Sequence, residues 1–375
     1  MSIALAAADS TADSQPPEDK ALDGKMYKFT TGKTKEGQDL GLYFDPQSKT
    51  LAAYEVVDTE SILGDVPAQY LLSDYKTVDG ITLPHHITIR KSGMEYSDLQ
   101  YTSMTVNDPA AEQVFAVPES AAAEAEKAAA AGEYSPMKIT KVGTGVYHAQ
   151  GYSHHTMIVE FPQWLALMDA PYTETQTKVL FRAIQEQFPS KPVKYVAVSH
   201  HHFDHTGGIR QAIAEGLTLI AHKGNEGLFR EIAARKGTIG PDAIGANVKP
   251  LKFKAVDEHM ELKDSIMEMH VYHAVSQSHM AEGVFAYVPR DKLLVQGDFF
   301  DVDWEIYWWQ NTYLDNIRHW NLQVDTDVPI HGRVLPLSQV LQDIQRMTKT
   351  AQDLCDRLKA AGAFTPGCPV KASGQ

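Results

Sequence analysis

Cysteine is nearly absent from this chain: the 375 residues hold two, Cys355 and Cys368, both in the final stretch. Neither has the spacing to join a metal site. In an oxidising compartment the pair would staple the tail to the preceding helix, worth about 3 kcal/mol for a loop of that size; the alternative is two unpaired thiols. Long apolar runs are missing too, and nothing approaches the roughly 20 residues that span a bilayer. Positive charge is in deficit, with 34 Lys and Arg against 48 Asp and Glu for a net charge of −14, and no Lys/Arg cluster stands out. Nucleic acid is therefore not an expected partner. The opening residues Met1 to Ser10 end like a secretory signal with a small-residue cleavage site, but lack its basic region and most of its apolar core. They read either as a signal remnant, implying a periplasmic or secreted protein, or as an ordinary irregular terminus of a cytoplasmic one.

What is present is ample for two domains, since 43% of the residues are hydrophobic and the length exceeds that of an average domain. Residues 1–20 are polar and Ala-rich and are expected to be disordered or a signal remnant. Residues 21–118 alternate in short strands (Met26–Phe29, Leu40–Phe44, Thr50–Val57, Tyr70–Tyr75, His86–Ile89, Ser97–Met104) separated by turn signals such as Asp79-Gly80, which predicts an antiparallel β-sheet domain. The Ala/Glu/Lys-rich residues 119–136 read as a helical linker. From 137 to 375, strands, then helices at 174–188, 208–216 and 224–236, then strands at 266–272, 283–288 and 292–296, then a helix at 337–361 predict two sheets covered by helices.

The most informative stretch is Ser199 to Gly208, which contains His200, His202, Asp204 and His205 as His-x-His-x-Asp-His. It follows the apolar run Pro192 to Val198, a buried strand by length and Val content, and Thr206-Gly207-Gly208 then turns into the amphipathic stretch from Ile209. His200 and His202 project to one side of an extended segment, so two imidazoles converge on one ion. Asp204 and His205 follow after the turn begins and face a second. One loop cannot satisfy two metals, and further ligands occur at strand ends: His279, Asp298 after Leu294 to Gly297, and His331 after Val328 to Ile330. Gly297 is expected to allow a sharp exit from its strand.

With Asp169 in Leu167-Met168-Asp169-Ala170, these motifs in this order resemble the metallo-β-lactamase fold superfamily over about Met137 to Ala361. The resemblance implies an α/β fold, an αββα sandwich. It implies one zinc on His200, His202 and His279, another on Asp204, His205 and His331, Asp298 bridging them, and Asp169 as a structural support of the loop. Two zinc ions per chain are expected, with iron or manganese as alternatives. The segment around His279 lacks the Pro-Gly-His-Thr-Pro-Gly wording common in the superfamily. His202, where glutamate would suggest a flavodiiron reductase, and Asp298, where true β-lactamases carry Cys or Ser, point to the lactonase, glyoxalase II and phosphodiesterase branches. The stretch Asp74 to Pro84, with Phe115 to Pro118, resembles the closing strands of a LolA-like lipoprotein carrier, which would suggest the cell envelope.

The chemistry implied is hydrolysis of an ester, lactone, thioester, amide or phosphodiester by a hydroxide shared between the metals, with Asp204 as the catalytic residue that orients it and moves its proton. The partner expected is a small-molecule substrate. Trp304, Tyr307 and Trp308 are candidate substrate contacts, although at least half of that aromatic segment is expected to pack under a loop or at a homodimer contact. His154 and His155 read as a solvated pair, with His154 kept as a candidate substrate contact, and His222 reads as structural. Two alternatives remain: a mononuclear iron oxidoreductase resembling persulfide dioxygenases, and a non-catalytic envelope module binding lipid or lipoprotein.

Overall fold

Three two-residue turns set up the N-terminal sheet. Asp23-Gly24, Asp79-Gly80 and Ser92-Gly93 all have positive φ at both positions, the backbone of the hairpin turn whose twist matches that of the strands it joins. The computed structural model describes residues 16–34, 37–110, 113, 115–121, 123, 137–240, 242–275, 279–363 and 368. The chain divides into two compact units, residues 1–126 with 237–241, and residues 127–236 with 242–375.

In the first unit, β1 (Glu18–Leu22), β2 (Lys25–Lys33), β3 (Asp39–Phe44), β4 (Leu51–Glu60), β5 (Gly64–Val78), β6 (Ile81–Lys91) and β7 (Met94–Gln100) follow one another as an antiparallel meander in sequence order. Strand β1 begins inside the segment expected to be irregular. Its polar composition hides the reason: Lys20 sits 3.6 Å over the Phe29 ring and 3.5 Å from Glu55, and Glu55 also accepts from Tyr43 Oη and Gln69 Nε2. Cation–π attraction and a shared carboxylate hold a strand that hydrophobicity alone would not. The last strand ends at Gln100 rather than Met104. Phe29, Leu40, Val56 and Ala68 line a cavity of about 710 Å³ on this sheet. Of the expected linker, 119–136, only Glu119, Ser120, Ala121 and Ala123 are described, and they are helical.

The second unit holds two sheets. One runs in the order β14-β13-β12-β11-β10-β9-β8, made of β8 (Lys138–Gly143), β9 (Val146–Gln150), β10 (Thr156–Glu160), β11 (Leu165–Met168), β12 (Val193–Ala197), β13 (Thr218–His222) and β14 (Lys252–Val256). The other runs β15 (His259–Lys263), β16 (Glu268–His273), β17 (Val284–Val288), β18 (Leu293–Gln296), β19 (Thr326–Pro329), β20 (Leu335–Pro336). Their facing side chains form one core: Met157, Val159, Met168 and Ala197 from the first sheet meet Val271, Ala286, Val295 and Val328 from the second. Burying an apolar face on each sheet is what drives them together. Helices α1 (Glu174–Gln187), α2 (Phe203–Thr206), α3 (Ile209–Ala214), α4 (Glu226–Ala234), α5 (Asn311–His319) and α6 (Leu337–Ala360) complete the unit. The outer face of the second sheet, including Phe285 and Leu294, packs on Tyr313 of α5 and on Val340, Ile344 and Met347 of α6. The second unit has the expected αββα sandwich, and the first the expected antiparallel sheet. Among the described residues no helix is long and apolar enough to cross a membrane, which says nothing of a β-barrel. Cys355, on α6, is disulfide-bonded to Cys368.

Candidate metal centre

Strands β11, β12 and β13 run parallel, as do β18 and β19, so their carboxyl ends bring several loops to one rim. Asp169 follows β11, His200 and His202 follow β12, Asp298 follows β18 and His331 follows β19. Asp204 and His205 lie in the single turn α2, and His279 lies between β16 and β17. Asp169 and Asp298 both take a left-handed backbone, φ 62° and 65°, which aspartate tolerates better than most residues. The sharp exit from β18 is thus made by Asp298 and not by Gly297. What Gly297 supplies is space, since a Cβ there would lie 2.6 Å from Ser199 Oγ and 3.2 Å from His205 Cε1.

The side chains converge in two sets whose donor atoms each lie within 4.8 Å of one another: His200, His202, His279 and Asp298, and His154, Asp204, His205 and His331. In the first set His200 Nε2 is 2.9 Å from His202 Nδ1 and 3.5 Å from Asp298 Oδ2, and His279 Nε2 is 2.9 Å from the same oxygen. In the second, His205 Nε2 lies 3.1 Å from His331 Nε2, and the two lie 3.1 and 3.0 Å from Asp298 Oδ1. Asp204 Oδ2 is 3.7 Å from both. A tetrahedral ion with bonds of 2.0–2.1 Å spaces its ligand atoms by about 3.3 Å. The distances bracket that figure, and the donors are imidazole nitrogens and carboxylate oxygens, so the residues fit a divalent ion at each set.

Behind these atoms lies a supporting network. Asp169, fully buried, accepts from Ser199 N at 2.6 Å, from Ser199 Oγ at 2.7 Å and from His205 Nδ1 at 2.9 Å. A carboxylate only accepts, so His205 keeps a proton on Nδ1, and Nε2 is the nitrogen that would give up its proton to meet an ion. The Ser199 hydroxyl spends its proton on Asp169 and accepts from His200 Nδ1 at 3.1 Å, which orients the second imidazole in the same way. Trp309 stacks on His279, centroids 4.4 Å apart, and its Nε1 donates to the Asp298 carbonyl at 2.6 Å.

Electrostatics follow from burial and crowding. Burial and the neighbouring His205 push His200 well below the usual histidine range, and burial with His279 lowers His202. Burial would also lower His205, but the charges of Asp298 and Asp169 overcome it and raise its pKa. Against its own burial, Asp298 is held far below the carboxylate range by His205, His279 and His331. Asp204 is similarly kept ionised, at about 2, where His154 and His205 outweigh burial. Burial and the carboxylates Asp298, Asp301 and Asp204 push the Tyr307 hydroxyl up, so it keeps its proton.

Seven residues singled out in the sequence as ligands are therefore brought together, and His154 joins them. Neither His154 nor His155 is solvated: they are 8% and 9% exposed. The backbone of His155 donates to Ile330 O and its Nε2 to Gly332 O at 3.1 Å, a cover supplied from far along the chain and invisible in the local pattern. The signal available was a histidine pair on the loop next to the Asp169 strand. Trp309 belongs to the same aromatic segment as Trp304, Tyr307 and Trp308 but was not among the named candidate contacts. Of those, Tyr307 is buried, whereas Trp304 and Trp308 are exposed. His222 accepts from Gly224 N, stacks on His273 and lies in neither set.

The family model described as the metallo-beta-lactamase superfamily matches residues 171–300. A curated relative, the 2,4-dinitroanisole O-demethylase subunit alpha of Nocardioides sp. (strain JS1661), is 23% identical over 210 residues, 55% of this chain and 60% of its own length; the chain spans about 60% of that relative. Similar solved structures include a metallo-beta-lactamase from Pontibacter korlensis, 18% identical with a TM-score of 0.45 over 56% of this chain and 98% of that one. Another is FIM-1 from Pseudomonas aeruginosa in its mono-zinc form, 14% identical with a TM-score of 0.44 over 58% and 97%. Asp169 and His331 fall outside the interval the family model matches, yet their atoms reach the same cluster. Residues 171–300 therefore carry a metallo-beta-lactamase superfamily domain.

Proposed function

We propose that the chain hydrolyses a small molecule with two divalent ions, zinc foremost, one on His200, His202 and His279 and one on Asp204, His205 and His331. The observation that carries this reading is Asp298, which turns Oδ2 to the first set and Oδ1 to the second. A mononuclear iron oxygenase would use one set and leave the other idle. Bound there, paired ions would lower the pKa of a shared water to about 7 and draw charge from the carbonyl or phosphoryl oxygen under attack.

The chain's own groups then have separable tasks. Asp204, ionised at neutral pH, is placed to orient the attacking water and take up its proton. Tyr307 keeps its hydroxyl proton and acts as a donor to a substrate oxygen. The exposed rings of Tyr152, Phe203, Trp304 and Trp308 lie on segments adjoining site residues and favour a substrate with an apolar or aryl portion. The relative's name carries an aryl methyl ether, which extends the substrate panel to aryl ethers beside esters, lactones, thioesters, amides and phosphodiesters. The Cys355–Cys368 disulfide supports a periplasmic or secreted setting. The cavity on the N-terminal sheet leaves lipid binding as that unit's own proposed role.

A screen of the metal-loaded full chain against this panel tests the reading. Water-dependent cleavage of at least one class is expected, lowered at least about 10³-fold in His202→Ala, the equivalent of the several kcal/mol a metal supplies. Absence of any turnover, or oxygen uptake on a persulfide instead, overturns it.

A further inference from the structure

The loop from Gly151 to His155 joins β9 to β10 and is tied down at every step. Gln176 Nε2 donates to the His154 carbonyl at 2.9 Å, and the His154 backbone forms a bridge with His331. The imidazole is held between rings: Tyr172 stacks on it with centroids 5.3 Å apart at 23°, and His331 stands edge-on at 3.9 Å. Ser153 Oγ, 2.6 Å from Nδ1, fixes the rotation of the ring. Nε2 then points at Asp204 Oδ2, 3.1 Å away.

Where its Nε2 lies decides what His154 does. A residue that only supports a ligand carboxylate can make its hydrogen bond from outside the donor set, whichever oxygen it meets. His154 meets Oδ2, the oxygen that also faces His205 Nε2 and His331 Nε2 at 3.7 Å. Its Nε2 shares one space with all three, every donor atom of the set lying within 4.8 Å of the others.

We propose that His154 is itself a donor to the ion held by Asp204, His205 and His331, a ligand from outside the His-x-His-x-Asp-His pattern. The proposal rests on the metal-hydrolase reading and sharpens one of its two positions. With Asp298 Oδ1 that position has five protein donors, more than the four of a tetrahedral zinc site. The other has four. The chain thereby distinguishes its two ions, and this position suits a divalent ion that accepts five or six ligands, such as manganese, iron or cobalt.

The test uses the full chain, stripped with a chelator and titrated with cobalt(II) under chelator competition, with the visible spectrum recorded at each equivalent. Wild type should bind two ions. His154→Ala should keep the first at wild-type affinity and lose the second by more than about 100-fold, beyond the roughly 10–100-fold that an outer partner costs; added imidazole should restore it. His154→Gln, which keeps a hydrogen-bond donor for Asp204, should lose the second ion equally. A smaller loss, an unchanged spectrum of the second cobalt, or full recovery in His154→Gln overturns the proposal while leaving two-metal binding standing. A wild-type chain that binds no cobalt overturns both.

Discussion

Asp298 is the residue on which the site turns, because among the described residues no other side chain addresses both donor sets. Replacing it with Ala should lower hydrolysis at least about 10³-fold, as loss of metal stabilisation worth several kcal/mol requires, while circular dichroism stays that of the folded chain. Wild-type turnover by Asp298→Ala would contradict the bridging role. Asp169 acts one step further out. It fixes the Nδ1 proton of His205 and anchors Ser199, so Asp169→Asn should weaken metal binding about 10–100-fold, read by chelator competition. Asp298 was legible in the sequence as an acid at a strand end next to a glycine, and Asp169 only through the family resemblance. Their left-handed backbone was not, since it depends on how each strand end is packed.

At the scale of elements, the ligand loop is held by close approach as much as by hydrogen bonds. Gly297→Ala would drive a methyl group into Ser199, and the expected cost is about 1–3 kcal/mol together with weaker metal binding. A chemical-denaturation midpoint and metal content equal to wild type would contradict this. The β9–β10 loop carries a second expectation. Burial, then His148, lowers the His155 pKa to about 4, and its Nδ1 has no hydrogen-bond partner among the described residues. The unfolded chain therefore binds a proton near pH 6.5 that the folded chain refuses until about pH 4. Stability from this residue is full above pH 6.5 and falls between 6.5 and 4, by up to about 3 kcal/mol. In metal-free protein, His155→Gln should flatten the loss of urea stability between pH 7.5 and pH 5; an unaltered slope would count against it. Long periodic elements such as α1 and α6 were readable within a residue or two. Strand β1 and the cover over His154 and His155 were not, because Lys20 on Phe29 and Ile330 on His155 are contacts between distant parts of the sequence.

For the whole molecule, length and hydrophobic content announced more than one unit, and ordered motifs at strand ends announced the sandwich and the clustered ligands. Cysteine spacing left the tail open between a staple and free thiols, a choice that geometry settles in favour of the Cys355–Cys368 bond. Cys368→Ser should lower stability by no more than about 3 kcal/mol, the loop-closure value for so short a span, and a melting temperature unchanged by the substitution or by reductant would show that the bond constrains nothing. The central claim is a paired metal site bridged by Asp298, and counting tightly bound metal on the folded, reloaded full chain addresses it most directly. Two divalent ions per wild-type chain are predicted. One or fewer would contradict the account.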